Sequence, residues 1–327
     1  MNRVLVTGAN GLLGTNLVIY LLEQDYYVKA LVREKKKFIQ YHHPHLEVVI
    51  GDICNISSVE PHAADCDYII HSAAITAQDL LNEKEYENVN INGTKNIIEI
   101  CKKYKIKRLI YIGSANTFGY GSLEDLGDET KTTRSPFTKS HYAISKVRAQ
   151  EIVDQSCSEV NIVTISPTFM IGAYDAKPSS GKIILMAAGK KILFYPPGGK
   201  NFVHVKDVAK ASIRALTIGA SGEKYLLANA NLTFKQFYKI VSSKTNSHPL
   251  LIKIPKLILY LFGLIGEIIR LPGIRTEISL TNVRILTINN YYSNQKAKNM
   301  LGIQFTPIGD AVLEAVDWFR KEKMLKV

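Results

Sequence analysis

The stretch TGANGLLG, residues 7–14, decides the fold of this chain. It lies between the apolar run RVLV and the apolar run LVIYLLE, so we predict that a strand precedes it and a helix follows it. Gly8, Gly11 and Gly14 recur in it at intervals of three residues. Glycine permits a tight turn and lets backbone amides approach a pyrophosphate, whose charge a helix N-terminus favours. The stretch therefore predicts a dinucleotide site, with a plain strand-to-helix turn as the alternative.

Short β-branched runs alternate with helical stretches through the first half of the chain. Strands that are almost continuously apolar and separated by helices indicate a parallel sheet covered on both faces. We therefore predict an α/β fold with a doubly wound parallel sheet. The predicted strands are residues 3–8, 28–33, 46–52, 67–74, 108–114 and 161–167, and the predicted helices are residues 11–24, 85–104 and 142–156.

This alternation ends after Pro167. Loops rich in Gly, Pro and Lys follow, and then one more helix, for which Asp207 is the predicted N-cap. We predict a dinucleotide-binding Rossmann domain that comprises residues 1–167 plus about 203–228. A smaller C-terminal substrate lobe would comprise residues 168–202 and 229–327.

The composition excludes several classes of protein. The chain has 327 residues, 46% of them hydrophobic, and a formal net charge of +12. Its basic residues form no stripe interleaved with aromatics, so we predict no nucleic-acid partner. The four cysteines show no C-x-x-C pair and no metal-ligand spacing, which indicates reduced thiols and no metal. No secretory signal is recognisable, so the expected location is cytoplasmic, and the most apolar segment, residues 254–273, is too often interrupted by charges to span a membrane.

The residues after the second and third strands bear on the cofactor. Arg33 stands where an NAD-specific fold usually has an acidic residue on the ribose 2′-hydroxyl, and an arginine there can pair with a 2′-phosphate. NADP(H) is therefore favoured, and NAD(H) remains the alternative if Arg33 is only a solvated residue. Asp52 is expected either to meet the adenine or to cap a turn.

Several later motifs resemble those of one family. HSAA (71–74), VNINGTKNI (89–97), IGSANTFG (112–119) and YAISK (142–146) follow the glycine stretch in the order of the extended short-chain dehydrogenase/reductase family, also called the NAD-dependent epimerase/dehydratase family. NFVHVKDVAKA (201–211) and YYSNQKAKNMLG (291–302) extend the resemblance over nearly the whole chain. Within the family, the sequence is most similar to the dihydroflavonol-4-reductase and 3β-hydroxysteroid-dehydrogenase-like branch.

The resemblance implies that Ser114, Tyr142 and Lys146 are the catalytic residues. Tyr142 would be the general acid in carbonyl reduction, or the base in alcohol oxidation. A tyrosine with a pKa of about 10 is too weakly ionised to be a base at neutral pH. Lys146, one helical turn further on, would lower that pKa and bind the nicotinamide ribose. Ser114 would hydrogen-bond the substrate oxygen.

The resemblance also implies a cofactor-binding set. For Asn92 a purely structural role in its helix is an equal alternative, and His71 is at least as well explained as a satisfied buried histidine. His204 and Asp207 are interpreted as structural. The cofactor-binding set comprises Gly8, Asn10, Gly11, Leu12, Leu13, Gly14, Arg33, Asp52, Ile53, Ser72, Ala73, Ala74, Asn92, Tyr142, Lys146, Pro167 and Thr168.

One departure from the family pattern bears on the substrate. Many sugar-nucleotide enzymes of the family carry arginine where this chain has Ser166. We therefore predict an NADP(H)-dependent oxidoreductase that reduces a ketone or aldehyde, or oxidises the alcohol, of a small, moderately apolar substrate. An NAD-dependent sugar-nucleotide epimerase or dehydratase is the alternative, and a non-catalytic dinucleotide sensor is a minor one. Family dimers pair the helices at residues 85–104 and 142–156, so the resemblance is compatible with a homodimer.

Overall fold

The computed structural model describes residues 1–39 and 41–325. Its strands are β1 (Arg3–Thr7), β2 (Tyr27–Val32), β3 (Leu46–Ile50), β4 (Tyr68–His71), β5 (Arg108–Ile112), β6 (Ile162–Pro167), β7 (Phe169–Ile171), β8 (Ile192–Tyr195), β9 (Gly199–His204), β10 (Lys224–Leu227), β11 (Ala230–Thr233), β12 (Leu250–Lys253) and β13 (Asn289–Asn290). Its α-helices are α1 (Leu12–Glu23), α2 (Ile56–Ala63), α3 (Glu83–Tyr86), α4 (Gly93–Tyr104), α5 (His141–Ser156), α6 (Lys182–Ala187), α7 (Val205–Arg214), α8 (Phe234–Lys244), α9 (Lys256–Arg270), α10 (Leu280–Thr287), α11 (Gln295–Leu301) and α12 (Ile308–Lys321). A π-helical turn, Glu87–Asn92, joins α3 to α4.

Seven parallel strands form the central sheet, in the order β10-β6-β5-β4-β1-β2-β3. The chain runs from β1 outward to β3 and then returns to β4 on the other side of β1, so the direction of winding reverses between β1 and β4. Ligands of such sheets bind outside the carboxyl ends of the strands at this switch point. The predicted doubly wound α/β fold is confirmed, and the six predicted strands all lie in this sheet.

Side-chain alternation along the strands divides the core of the sheet into two layers. Val4 and Val6 of β1 face the layer that α1 and α7 cover, whereas Leu5 faces the layer that α4 and α5 cover. Successive side chains of a strand point to opposite faces of the sheet. All three residues are fully buried because helices cover both faces. Burial of one such side chain contributes about 1.5–3 kcal/mol relative to exposure. Both layers therefore stabilise the sheet.

A carboxylate closes the outer edge of the sheet. Leu226 N, on the edge strand β10, donates a hydrogen bond of 2.8 Å to Glu129 Oε1. Burial raises the pKa of this carboxyl above its ordinary value. Glu129 lies in the long connection between β5 and α5, which also pairs through Gly121 and Gly127 with Tyr291 and Tyr292. The edge amide thus has its partner in a loop rather than in another strand.

The C-terminal part of the chain builds a second core. β9 pairs with β7, β11 and β13, and β8 pairs with β12. Phe202 of β9 stacks on Phe237 of α8 with ring centroids 4.1 Å apart, and α12 covers this core. Ala297 and Leu301 of α11 instead pack in the layer of α1 and α7. The predicted division into two domains stays a prediction, and α11 is a segment of the predicted lobe that covers the large sheet.

The start of α7 differs from the prediction. The N-cap is His204, not Asp207, because His204 Nδ1 accepts a hydrogen bond of 2.9 Å from Lys206 N. Asp207 lies inside the first turn and is fully buried, where its carboxylate accepts hydrogen bonds from the amide and the hydroxyl of Thr306. Both residues hold elements of the fold together, in keeping with their structural interpretation.

Candidate active site

The three glycines of residues 7–14 meet three different requirements. Gly8 has a φ of +66°, and a Cβ there would lie 2.8 Å from Ala73 Cα. A Cβ on Gly14 would overlap the carbonyl oxygen of Gly8, so this glycine lets α1 pack closely against β1. A Cβ on Gly11 would have Gly8 O, at 3.4 Å, as its sole neighbour within 4 Å in the described part of the chain. The side of the turn at Gly11 is therefore open to a ligand.

The open side of Gly11 lies at the start of α1. Gly11 is the N-cap of this 12-residue helix, offers it no side chain, and is followed by a first turn without an acidic residue. The amides of Leu12, Leu13 and Gly14 belong to this first turn, where helical amides have no partner within the helix. Partly exposed Asn10 precedes them. Free amides at the positive end of a helix bind anions, so these residues fit the diphosphate of a dinucleotide.

Arg33 directly follows β2 and is exposed. The next residue, Glu34, is engaged by Lys37 and Lys36, and the hydrogen bond from Lys37 is the main cause that lowers the pKa of its carboxyl. The carboxylate of Glu34 is thus paired with lysines, whereas Arg33 is exposed to solvent. Contact of Arg33 with a 2′-phosphate stays a prediction.

Asp52 and Ile53 form a tight turn after β3. Asp52 Oδ1 accepts a hydrogen bond of 2.9 Å from Cys54 N, which is the turn-capping alternative. Ile53 is buried, and a Cβ added to Gly93 would lie 2.6 Å from Ile53 Cδ1. Its side chain therefore packs inside the fold. Contact of either residue with an adenine stays a prediction.

Ser72, Ala73 and Ala74 extend β4 beyond its last paired residue and are partly exposed. Ser72 Oγ donates a hydrogen bond of 2.8 Å to Thr7 O. Ala73 N donates one of 3.2 Å to Thr7 Oγ1. These bonds hold the end of β4 against the end of β1, so the three residues border the glycine turn at the switch point.

His71 is buried with both ring nitrogens bonded. Nδ1 lies 2.8 Å from Thr7 Oγ1, and Nε2 lies 3.2 Å from Thr94 Oγ1. Thr94 Oγ1 donates to Asn90 O and so accepts from His71, which places the ring proton on Nε2. Burial and, secondarily, the charge of Lys146 lower the pKa of His71 to about 3. At neutral pH His71 is therefore an uncharged link between strands and helix.

Ser114, Tyr142 and Lys146 come together at the carboxyl end of β5. Ser114 follows this strand, and the first two turns of α5 carry Tyr142 and Lys146 four residues apart, on one face of the helix. The hydroxyls of Ser114 and Tyr142 lie near each other, and that of Ser114 acts on the pKa of Tyr142. Lys146 Nζ donates a hydrogen bond of 2.8 Å to Ile112 O and lies 4.6 Å from the ring centroid of Tyr111.

Burial shifts both titratable groups of this set. It raises the pKa of Tyr142, and the nearby Ser114 hydroxyl opposes the rise. It lowers the pKa of the Lys146 ammonium to about 7. The Lys146 ammonium is directed at Ile112 O in this arrangement, and its lowering of the pKa of Tyr142 stays a prediction.

Asn90, rather than Asn92, contacts the helix of Tyr142. Asn90 is buried, its amide exchanges hydrogen bonds of 2.8 and 3.1 Å with the backbone of Ile75, and its Nδ2 donates one of 2.9 Å to Ser145 Oγ. Asn92 is exposed, because residues two apart in a helical turn point to different sides. The sequence analysis missed Asn90. Its spacing of four residues from the buried Thr94 was the available signal.

Pro167 and Thr168 stand where the chain leaves the large sheet. Pro167 ends β6 and pairs with Leu227 of β10. Thr168 Oγ1 donates a hydrogen bond of 2.7 Å to Asn201 Oδ1, and Asn201 Nδ2 donates one of 2.7 Å to Asn231 Oδ1. Thr168 therefore joins the sheet to the second core, and contact of Pro167 or Thr168 with a nicotinamide stays a prediction.

Known proteins share this architecture. A sequence model of the NAD dependent epimerase/dehydratase family matches residues 4–228, which run from β1 to the end of β10. A Synechocystis sp. protein named "Putative dihydroflavonol 4-reductase" is 28% identical over 330 aligned positions, covering 98% of this chain and 95% of that protein. "Sterol demethylase protein B" of Methylococcus capsulatus is 24% identical and covers 98% of this chain and 99% of that protein. The chain in the crystal structure of gox2253 is 27% identical in sequence to this chain. The two structures superpose with a TM-score of 0.86 over 100% of both chains.

The family match includes each element that builds the site. It contains the glycine turn, the switch point between β1 and β4, the end of β5 and the start of α5. The resemblance found in the sequence motifs is thereby confirmed. The chain belongs to the NAD dependent epimerase/dehydratase family of extended short-chain dehydrogenases/reductases and is an NAD(P)-dependent enzyme.

Proposed function

We propose that the protein is an NADP(H)-dependent oxidoreductase that interconverts a ketone or aldehyde and the corresponding alcohol. The observation that carries this proposal is the convergence of Ser114 and Tyr142 at the carboxyl end of β5, with the buried Lys146 one turn further along α5 and bonded to Ile112 O. Two hydroxyls at one point, beside the edge where ligands of this fold bind, can hold one carbonyl oxygen. A sensor without catalysis would not require this set.

The chemistry of the site follows from these three side chains. When bound, the nicotinamide supplies or accepts a hydride. Ser114 and Tyr142 orient the substrate oxygen through their hydroxyls, and Tyr142 donates its proton to that oxygen as negative charge develops there. The raised pKa of Tyr142 keeps this hydroxyl protonated at neutral pH, which suits a general acid. Proton transfer of this kind contributes about 10²- to 10⁴-fold to the rate.

Lys146 would stabilise the phenolate that Tyr142 becomes. A protonated ammonium favours a nearby anion, and it does so most strongly where water is excluded. The pKa of Lys146 is about 7, so the protonated form predominates below pH 7 and declines above it. In the same position Lys146 would hold the nicotinamide ribose.

A small, moderately apolar substrate is supported by two observations. The names of the two sequence relatives refer to a dihydroflavonol and to a sterol. Ser166, which stands where many sugar-nucleotide enzymes of the family carry arginine, is fully buried. Residues 229–327 lie outside the family match, so we expect the substrate-binding part to differ from that of other family members and to favour apolar molecules.

The proposed function is tested by adding NADPH to the purified protein with a panel of carbonyl compounds. We expect nicotinamide absorbance to fall in proportion to the alcohol formed from an apolar ketone or aldehyde. UDP-glucose serves as the control substrate and should cause no change. Tightly bound NAD, conversion of a sugar nucleotide and no net nicotinamide turnover would instead establish the epimerase or dehydratase alternative.

Arg33→Ala is expected to weaken NADPH binding by about 10- to 100-fold and to leave NADH binding unchanged. The reason is the loss of a charge-assisted hydrogen bond to the 2′-phosphate, which NADH lacks. Titration of each nucleotide by nicotinamide fluorescence gives both constants. Lys103→Ala removes one positive charge at the other end of the sheet and should alter neither. Equal binding of NADPH and NADH by the parent protein would refute this role of Arg33.

A further inference from the structure

Helix α9 presents its apolar side chains to solvent. Two adjacent stripes along the helix, each with the spacing i, i+4, i+7, i+11, consist of large aliphatic or aromatic residues, and each of these is exposed. The inward stripe instead contains Gly263, Gly266 and Arg270, with Leu259 as its sole large apolar residue. A helix on the surface of a protein normally has the opposite arrangement. The exposed stripes are Leu257, Ile258, Leu261, Phe262, Leu264, Ile265, Ile268 and Ile269.

The packing of α9 fixes this orientation. A Cβ on Gly266 would overlap Ile278 O, and one on Gly263 would lie 3.2 Å from Leu280 Cα, so the backbone of α9 lies close to the segment that begins α10. Glu267 Oε1 accepts a hydrogen bond of 2.8 Å from Leu280 N. Arg270 Nη2 donates one of 2.9 Å to Thr276 O. Rotation of α9 to bury the apolar stripes would break these bonds and this close approach.

Exposed apolar side chains also occur on β8 and on β12, the strand that precedes α9. On the two-stranded sheet of β8 and β12, Leu250 stands opposite Ile192 and Ile252 stands opposite Phe194. Each of these four side chains is exposed. We call the exposed stripes of α9 together with these four residues the α9 surface. The stripes of α9 are contiguous along the helix, and contiguous exposed apolar areas mark sites of contact with proteins or membranes.

Basic residues flank the α9 surface. Lys190 and Lys191 precede β8, Lys253 ends β12, Lys256 begins α9, and these four are exposed. The sequence between Lys224 and Glu267 contains five lysines and no Asp or Glu. An apolar helix bordered by lysines matches a bilayer with anionic headgroups, where acyl chains take the apolar residues and headgroups take the lysines.

We infer that the α9 surface docks the protein on a membrane that contains anionic lipids. The helix has 15 residues and a length of about 22 Å, less than the roughly 30 Å of a hydrocarbon core. None of the helices in residues 1–39 and 41–325 is long and apolar enough to cross a membrane. The helix therefore lies in the plane of the interface. A second copy is a poorer occupant, because a two-fold interface would bring the same lysines together.

Docking would bring the membrane close to the catalytic helix. Arg270 Nη2, at the end of α9, donates a hydrogen bond of 3.3 Å to Gln78 O. Ser140 Oγ, the N-cap of α5, donates one of 3.5 Å to Gln78 Oε1. One loop residue thus connects α9 with the helix of Tyr142. The docking inference itself rests on the α9 surface and does not depend on the proposed reaction.

Vesicle flotation of the full chain tests the inference. We expect the parent protein to float with vesicles of phosphatidylcholine and phosphatidylglycerol, and to bind pure phosphatidylcholine several-fold more weakly. The double variant Leu261→Gln and Ile265→Gln should bind at least about tenfold more weakly, since it removes apolar contact with the acyl chains. Met300→Gln on α11 is the matched control, because Met300 is 55% exposed and the two substituted residues are 52% and 51% exposed. It should bind like the parent.

A charge variant tests the contribution of the lysines to vesicle binding. Lys253→Glu with Lys256→Glu should remove the preference for anionic vesicles and leave thermal unfolding of the free protein unchanged. Thermal unfolding also serves as the folding check for the double glutamine variant. Absence of vesicle binding by the parent would overturn the inference. So would equal binding by the glutamine variant, or a parent dimer without vesicle binding that this variant dissociates in sedimentation experiments.

Discussion

Tyr142→Phe is expected to lower kcat by about 10³-fold while NADP(H) binding stays within a factor of two or so of the parent value. The substitution removes the hydroxyl that gives its proton to the substrate oxygen and keeps the ring in place. Ser114 stays in place beside the ring, but Ser114 alone does not restore proton transfer. Steady-state nicotinamide absorbance gives kcat, and nucleotide titration gives the binding constant.

Tyr111→Phe is the matched control for this prediction. Tyr111 lies under the Lys146 ammonium, and its buried hydroxyl approaches Thr94 without the geometry of a hydrogen bond. Its removal takes one hydroxyl from the same region and leaves Tyr142 in place. The control should keep at least about half of the activity. If Tyr142→Phe remained as active as Tyr111→Phe, the general acid would have to be another group.

Lys146→Met is expected to lower kcat by about 10²-fold and, at the same time, to stabilise the cofactor-free protein at pH 6. The activity is lost because no cation remains to stabilise the phenolate of Tyr142. The stability rises because the parent protein buries an ammonium, and burial lowers the pKa of this group from 10.5 to about 7. This difference in pKa corresponds to a gain in the free energy of unfolding of about 5 kcal/mol at most on substitution. The lost hydrogen bond to Ile112 O reduces this gain by about 1 kcal/mol.

The sign of the pH dependence follows from the same shift. Because the pKa of Lys146 is lower in the folded than in the unfolded chain, the unfolded chain binds more protons between about pH 7 and 10.5. The Lys146 contribution to the free energy of unfolding therefore rises with pH across this window. The advantage of Lys146→Met should be greatest below pH 7 and disappear near pH 10.5. Thermal unfolding of both proteins across this range measures it.

The same substitution at an exposed site is the control for this pH series. Lys298→Met removes an exposed lysine of α11 and should leave the pH dependence of stability unchanged. A Lys146→Met protein that is less stable than the parent at pH 6, and equally so at pH 10, would show that the ammonium is stabilised in its site rather than penalised by burial.

The sheet could be predicted from sequence because its signals are local. Strands buried on both faces are apolar runs such as the one from Arg3 to Thr7, and the glycines at intervals of three residues mark the turn that follows. β10 is less marked, since its four residues are recognisable as part of the sheet only through pairing with β6. The position of α11 on the large sheet depends on packing over a long separation along the chain, which no local pattern contains.

Site residues whose chemical type determines their role could be predicted from the sequence. Contacts that depend on the geometry of the fold could not. Ser114, Tyr142 and Lys146 were selected by residue type and order, and the structure brings them together. The π-helical turn and the helical face place Asn90 inside, and contact of Asn92 with the cofactor stays a prediction. The side-chain direction of Lys146 depends on the carbonyl of Ile112, which spacing cannot give. A homodimer and a cytoplasmic location stay predictions.

The carboxylate of Glu129 at the edge of the large sheet has a consequence for assembly. An unpaired edge strand offers its amides to any other extended chain, which is a common start of aggregation. At β10 the amide of Leu226 already has an acceptor, and the side chain of Glu129 occupies the place that an added strand would need. The loop between β5 and α5 therefore opposes growth of the sheet by strand addition at this edge.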